Sequence, residues 1–428
     1  MDLSSVQKNR QSILLLLIPK FYHIGIKLYG TLIRLAALKN KKAKLWLEGR
    51  RHTFCYLEEH ISKKDDLIWI HAPSLGEFEQ ARPLIEALKL KHNKYKILLT
   101  FYSPSGYEVR KEYPLADYIC YLPLDTQKNA RRFLEVVQPN LTFFVKYDFW
   151  ANYLNELQNR GLKHYVISAI FRENHYFFKN KGTWMLELLS KVDHFFVQNE
   201  NSKALLNTHK INRVSTTGDT RFDRVATISK KNVRLPIVEH FKGKTPLFVA
   251  GSTWAKGEAL IVDLINHFET KFKYVIAPHE INETQIVKLE NKLHCKTIRY
   301  SQANLNNSSN AQVLIIDNIG LLSSLYTYAD VTYIGGGFGK GIHNILEAAT
   351  FGMPIYIGPK NEKFQEAKDL KELGVAIEIN SSKELIAHCT LLLSEPAKWE
   401  KLKSMSKQYV ESKTGASEKI IEFVLKSS

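Results

Sequence analysis

Leu67-Ile68-Trp69-Ile70-His71-Ala72-Pro73-Ser74-Leu75-Gly76-Glu77 reads as a buried strand, a turn and the opening of a helix. Four apolar residues in succession suit a strand covered on both faces, and Phe78 to Leu90 continues with helical apolar spacing. The unit recurs downstream. Apolar runs at 97–101, 141–145, 164–167 and 194–197 are separated by helix-length segments, which predicts parallel βαβ units. Ser103-Pro104-Ser105-Gly106 reads as a turn after the second run. From Thr220 to Pro246 the pattern lapses into a polar, basic stretch, which predicts a linker near residues 223–246. It resumes with runs at 247–250, 274–277, 313–316, 331–334 and 354–357. The expectation is an α/β protein of two Rossmann-like, doubly wound domains facing a central cleft, at residues 46–228 and 229–408. Residues 1–45 form a separate N-terminal segment and 409–428 a C-terminal helix.

Composition agrees. A chain of 428 residues with 44% hydrophobic and 24% charged residues fills two packed cores and is not disordered. The net charge of +17 favours anionic partners. Residues 1–64 carry nine Lys and four Arg against four acids, more than half of the excess, around the apolar run Ile13-Leu14-Leu15-Leu16-Leu17-Ile18. Lipid is therefore favoured over nucleic acid, because no basic groove interleaved with aromatic residues is evident outside this region. Pro19, Lys20, Lys27 and Arg34 interrupt the run well short of the roughly 20 apolar residues of a spanning helix. His23, Lys27, Gly30 and Arg34 recur at helical spacing, with Ile24, Leu28, Leu32 and Leu35 elsewhere around the helix. That pattern predicts a membrane-surface helix whose cationic face meets acidic headgroups. The alternatives are a secretory signal, for which no clear cleavage site follows, and a helix packed on the body of the protein. Cys55, Cys120, Cys295 and Cys389 lie far apart without zinc spacing, which fits a reducing cytosol.

Chemistry is expected in the strand-to-helix loops. Ser74-Leu75-Gly76-Glu77 offers helix N-terminal N–H groups to an anion and a carboxylate able to act as general base; the same residues also spell a capping box. Gly335-Gly336-Gly337-Phe338-Gly339-Lys340-Gly341 lies between a strand and His343-Asn344-Ile345-Leu346-Glu347, the arrangement of a phosphate or nucleotide loop. It matches neither the Walker nor the Rossmann glycine fingerprint. Asn344 is placed in the first helical turn, and Glu347, three residues on, offers a carboxylate acceptor to ribose hydroxyls; helix capping or a surface carboxylate is the alternative. Gly251-Ser252-Thr253 and Pro278-His279-Glu280 also follow strands and offer donors to an anion, although both are ordinary helix starts.

Taken in order, His71–Glu77, Tyr121-Leu122-Pro123-Leu124-Asp125, Lys146–Trp150, Gly218–Asp223, Ala250–Thr253, Ala277–Glu280, Gly335–Glu347 and Gly358-Pro359 resemble the 3-deoxy-D-manno-octulosonic acid (Kdo) transferases of lipopolysaccharide synthesis. The resemblance implies a GT-B glycosyltransferase that moves Kdo from CMP-Kdo to a phosphorylated lipid A precursor at the cytoplasmic face of the inner membrane. It implies Glu77 as proton acceptor. In the family's acidic-x-acidic-Leu-Trp segment, here Lys146-Tyr147-Asp148-Phe149-Trp150, Asp148 keeps the second acid and Lys146 replaces the first. Arg221 stands at a transition-state-stabilising position where the family usually has Lys. For the donor, Pro278-His279 matches a Pro-Arg-His loop without its Arg, and Ile319-Gly320-Leu321 matches the end of a Gly-Asp-x-x-Gly-Glu segment with Leu for Glu. Ser252, Gly336 and Gly337 complete the donor set with Asn344 and Glu347, which match the family's pattern. Arg221, Lys146 and the glycine loop are candidates to balance the leaving phosphate and the Kdo carboxylate. No metal or cofactor is expected. The rivals are a GT-B enzyme using a UDP-sugar, whether a lipid A disaccharide synthase or a UDP-sugar epimerase, and a non-catalytic peripheral membrane scaffold.

Overall fold

A computed structural model describes residues 21–179, 182–230 and 233–426. The apolar run 13–18 lies outside the described residues. The chain divides into two compact units, Met1–Arg224 with Gly415–Ser428, and Val225–Thr414.

The first unit is built on seven parallel strands, β1 (Leu67–His71), β2 (Lys96–Phe101), β3 (Tyr118–Tyr121), β4 (Leu141–Val145), β5 (Lys163–Ala169), β6 (His194–Val197) and β7 (Val214–Thr216). Their order is β3-β2-β1-β4-β5-β6-β7. Strands β1 and β4 are buried along their whole length. Alternate residues feed two cores on opposite faces: Trp69, Leu98, Phe144 and Val166 on one, Ile68, Ile70, Leu99 and Phe143 on the other. That explains why these strands appear as unbroken apolar runs.

The second unit repeats the plan with β8 (Leu247–Thr253), β9 (Lys273–Pro278), β10 (Thr297–Arg299), β11 (Val313–Ile315), β12 (Val331–Ile334), β13 (Ile355–Ile357) and β14 (Ala376–Glu378). Here the order is β10-β11-β9-β8-β12-β13-β14, again parallel. In each sheet the chain reverses its direction of winding beside the first strand, between β1 and β4 and between β8 and β12. Parallel α/β sheets bind ligands at such a switch, beyond the strands' carboxyl ends.

Four expectations need correction. The unit boundary falls after Arg224 rather than after residue 228, and the C-terminal segment is not a separate element. Helix Pro396–Ser412 runs through position 409, and the last helix, Ala416–Lys426, returns to the first unit. Its Ile420, Ile421 and Val424 join the core, and the Asp223 carboxylate accepts the Gly415 and Ser417 N–H groups at 2.5 and 2.7 Å. Residues 223–246 are not an extended linker, since helices Arg221–Ser229 and Pro236–Lys242 occupy most of them. Pro104 does not close a turn. It opens helix Pro104–Arg110 at a position that needs no N–H, with Ser103 as N-cap.

Residues 21–36 are helical. One side of this helix docks on the first unit: Tyr22 donates to Asp125, Tyr29 meets the Trp46 and Tyr102 rings, and Gly30 abuts Leu124 so closely that a Cβ would lie 2.7 Å from it. Gly30 therefore faces the body and not the cationic side where periodicity placed it. Phe21, Ile24, Leu28, Leu32 and Leu35 stay exposed among the described residues, as do Lys27 and Arg34. No described helix is long and apolar enough to cross a membrane.

Candidate active site

At the switch point of the first sheet, the loop after β1 meets the loop after β4. Ser74 caps helix Leu75–Lys91, its hydroxyl accepting the Gly76 N–H at 3.3 Å, and Glu77 stands in the first turn. The Glu77 carboxylate is held by the Ser74 hydroxyl and by the Lys146 ammonium at 2.9 Å, so the pair is more than a helix cap. Burial would raise the Glu77 carboxyl, but Lys146 and the Ser74 hydrogen bond outweigh it and hold the group below the usual carboxylate range. Glu77 is thus an ionised carboxylate at neutral pH, one fifth exposed and open to a substrate.

Asp148 lies on the same loop as Lys146 but makes different contacts. Its carboxylate accepts the Trp150 indole N–H at 2.9 Å and lies 3.3 Å from His71 Nε2. His71, fully buried at the end of β1, shares Thr100 with Trp69: Trp69 Nε1 donates to the Thr100 hydroxyl at 2.8 Å, and His71 Nδ1 lies 2.9 Å from the same oxygen. If the Thr100 proton goes to Nδ1, Nε2–H is left to donate to Asp148, and both ring nitrogens of His71 have a partner. Asp148 therefore braces the loop after β4 against the end of β1.

Arg221 follows β7 and forks onto Asp219 at 2.7 and 2.9 Å, while Gln80, one turn below Glu77, donates to the same carboxylate at 3.1 Å. The Thr220 hydroxyl donates to the Gln80 carbonyl at 2.6 Å, which ties this loop to the helix that carries Glu77.

In the second unit the donor candidates converge on the other switch point. Gly335 packs against the Ser252 carbonyl, 1.9 Å from where a Cβ would stand, and Gly337 against Gly358. Gly336 adopts φ 92°, which only glycine takes readily, and the turn closes with Gly339 N–H donating to the Gly336 carbonyl at 2.8 Å. Helix Leu346–Ala349 is a single turn, shorter than expected, so Asn344 precedes it and caps it through Leu346 N–H at 3.2 Å. Glu347 accepts from Asn344 Nδ2 at 2.9 Å and from Ser323 Oγ at 2.8 Å. Ser323 joins it to the loop of Ile319, Gly320 and Leu321, where Ile319 is 91% exposed and Gly320 takes φ 97°.

Sequence reasoning overlooked Trp254. Its indole donates to His343 Nε2 at 3.0 Å, the two rings being within 11° of coplanar, and His279 stacks on both at centroid distances of 4.7 and 4.3 Å. Burial, and His279 beside it, push the His343 imidazole down to about 4, so it is neutral and able to accept that bond. A cavity of about 290 Å³ opens alongside, lined by Thr253, Trp254, Glu258, Pro278 and Glu280. A hint of these rims lay in no motif: Lys146, Ser168 and Ser252 all have left-handed backbones (φ 65°, 50° and 51°) at or near strand carboxyl ends, the last two at register shifts in β5 and β8.

Comparison with known proteins agrees with this geometry. Residues 48–224 match the family model of 3-deoxy-D-manno-octulosonic-acid transferase (kdotransferase). The chain is 26% identical over 344 residues to a 3-deoxy-D-manno-octulosonic acid transferase of Aquifex aeolicus, covering 79% of this chain and 89% of that protein. It is 25% identical over 369 residues to that of Haemophilus influenzae, with 83% and 86% covered. Against a bifunctional glycosyltransferase/methyltransferase of Fusobacterium nucleatum it is 25% identical over 342 residues, which are 76% of this chain and span about half of that protein (52%). Among solved structures, UDP-GlcNAc 2-epimerase from Neisseria meningitidis superposes with a TM-score of 0.60 at 16% identity, covering 84% of this chain and 99% of that one. The fold is thus of the GT-B class, and along most of its length the chain is similar to 3-deoxy-D-manno-octulosonic-acid transferases.

Proposed function

We propose that this protein transfers Kdo from CMP-Kdo to a phosphorylated lipid A precursor, with inversion and with Glu77 as general base. The observation that carries the reading is the ionised, partly open Glu77 at the switch point of a unit that matches the Kdo transferase family. In the proposed reaction Glu77 takes the proton of an acceptor sugar hydroxyl while the oxygen attacks the anomeric carbon of Kdo. The bond from that carbon to the CMP phosphate breaks, and CMP leaves with the electron pair. Asp148 keeps the Lys146–Trp150 loop in register beside the base. Arg221 and the backbone of the loop at 335–341 offer positive charge to the phosphate and the Kdo carboxylate. Asn344 and Glu347 serve the ribose, and Ser252, Pro278, His279, Gly336, Gly337 and the loop 319–321 surround the rest of the nucleotide.

The epimerase-like fold favours one competitor, a UDP-sugar enzyme. CMP is expected to raise the melting temperature of the protein more than UDP does. Mass spectrometry after incubation with CMP-Kdo and lipid IVA should show the acceptor heavier by one or more Kdo residues. A larger shift with UDP, together with unmodified acceptor, would reject the donor assignment, and unmodified acceptor with intact membrane binding would favour a scaffold.

The reading includes a place at the cytoplasmic face of the inner membrane. Its support is the helix at 21–36, which presents Ile24, Leu28, Leu32 and Leu35 to solvent with Lys27 and Arg34. Replacing Leu28, Leu32 and Leu35 together by Glu is expected to weaken binding to vesicles containing acidic lipid by roughly tenfold or more. The melting temperature should hardly change, since these side chains are more than half exposed. Unaltered vesicle binding would remove this helix from the membrane contact.

A further inference from the structure

We propose that Lys146 is a positioning residue for the catalytic base, serving as the counter-ion that keeps the Glu77 carboxylate charged and aimed. The inference rests on the reading of Glu77 as the base.

Four observations carry it. Lys146 Nζ lies 2.9 Å from Glu77 Oε1, while the Ser74 hydroxyl takes Oε2, so each carboxylate oxygen has its own donor. The two residues are 69 positions apart and meet because β1 and β4 are neighbours at the switch point. Lys146 has a left-handed backbone, φ 65°, at the first position after β4. A β-strand that ends in such a conformation turns its next side chain away from the strand's course, and a residue with a Cβ adopts it only at a cost. Finally, both side chains are partly open, 26% for Lys146 and 20% for Glu77, so the pair stands where a substrate can reach it.

The other charges around the helix of Glu77 are already committed elsewhere. Arg110 pairs with Glu79, Arg224 and Arg82 with Glu86, Lys91 with Glu418, and Arg221 with Asp219, while Asp148 faces His71. Lys146 is the cation the structure brings to the base. It offsets the penalty of partly burying a carboxylate, and it leaves each Glu77 oxygen a lone pair for the acceptor hydroxyl. The family resemblance expects an acid at this position, which would repel Glu77, so the base of this chain is set differently.

The direct test is a pH titration of the Glu77 side-chain carboxyl by carbon NMR on the full-length protein, the signal being identified by its loss in Glu77→Gln. In Lys146→Met the midpoint should move up by roughly 1 unit or more, and Lys146→Arg should return it toward wild type. Lys146→Gly separates charge from fold. Glycine accepts the left-handed backbone, so this variant should melt no lower than wild type and still show the raised midpoint. With CMP-Kdo and lipid IVA, the acid limb of the pH–rate profile should rise by the same amount in the Met and Gly variants. A midpoint that stays in place overturns the inference. So does a loss of rate by one factor at every pH with the limb unmoved. Wild-type turnover in Glu77→Gln would instead overturn the reading of Glu77 as base, which these outcomes keep distinct.

Discussion

Glu77→Gln is expected to lower Kdo transfer by on the order of 10²–10⁴-fold, the range a positioned general base contributes. The substitution is nearly isosteric, so the side chain still reaches Ser74 and the helix start. What it loses is the ability to accept a proton, along with the attraction that places Lys146 at 2.9 Å. The nucleotide candidates belong to the other unit, so CMP should shift the melting temperature of the variant as it does that of wild type. The loss should therefore appear in kcat, with the apparent affinity for CMP-Kdo changed by less than about threefold. An equal loss in Ser74→Ala would mean that the hydroxyl orients Glu77. A small loss there, of about tenfold or less, would leave Lys146 as the main holder. A variant Glu77→Gln within tenfold of wild type would move the base elsewhere, and Asp148 is a poor substitute because Trp150 and His71 already occupy it.

Much of the fold was readable because parallel strands covered on both faces leave contiguous apolar runs. Ten strands were expected from such runs. The structure adds β3, β7, β10 and β14, and all four lie at sheet edges. Each is three or four residues long, and Thr297–Arg299 has no fully buried residue. An edge strand has one neighbour and less cover, so the demand for unbroken apolar sequence that made the central strands visible is absent. The candidate site divides in a similar way. Glu77, Asn344 and Glu347 stood out because each lies in a loop with its own local logic of capping or glycine turns. Lys146 on Glu77, Ser323 on Glu347 and Trp254 on His343 are pairings across 69, 24 and 89 positions. Strand order creates them, and no spacing rule within one segment reports strand order. Gly30 shows the reverse error: helical spacing put it with the cations, but its missing side chain is what lets the helix lie against Leu124.

Gly335→Ala is expected to abolish CMP binding and to destabilise the second unit by roughly 1–3 kcal/mol or more. The methyl group would stand 1.9 Å from the Ser252 carbonyl oxygen and 2.6 Å from its carbon, and neither atom belongs to a side chain that could swing aside. Relief requires β12 to part from β8 at the register pair Ile334↔Gly251, just where Gly335 N–H donates to the Gly251 carbonyl at 2.9 Å. That separation would carry the turn at 335–341 away from Ser252, and with it His343, whose backbone N–H is anchored on the Gly335 carbonyl at 3.1 Å. The stacked set of Trp254, His279 and His343 and the Asn344–Glu347 pair would then lose their common frame. Gly339 provides the internal control. A Cβ there meets only the Gly336 carbonyl at 3.4 Å, an ordinary contact, so Gly339→Ala should bind CMP within about threefold of wild type. The two variants differ by four positions in one loop and carry the same added methyl group, so hydrophobicity and chain entropy are matched between them. Calorimetric titration with CMP and thermal melting of both proteins decide the matter. Wild-type CMP affinity in Gly335→Ala would show that the nucleotide does not use this loop, whereas equal damage in both would show that the loop as a whole, rather than its contact with β8, sets the site.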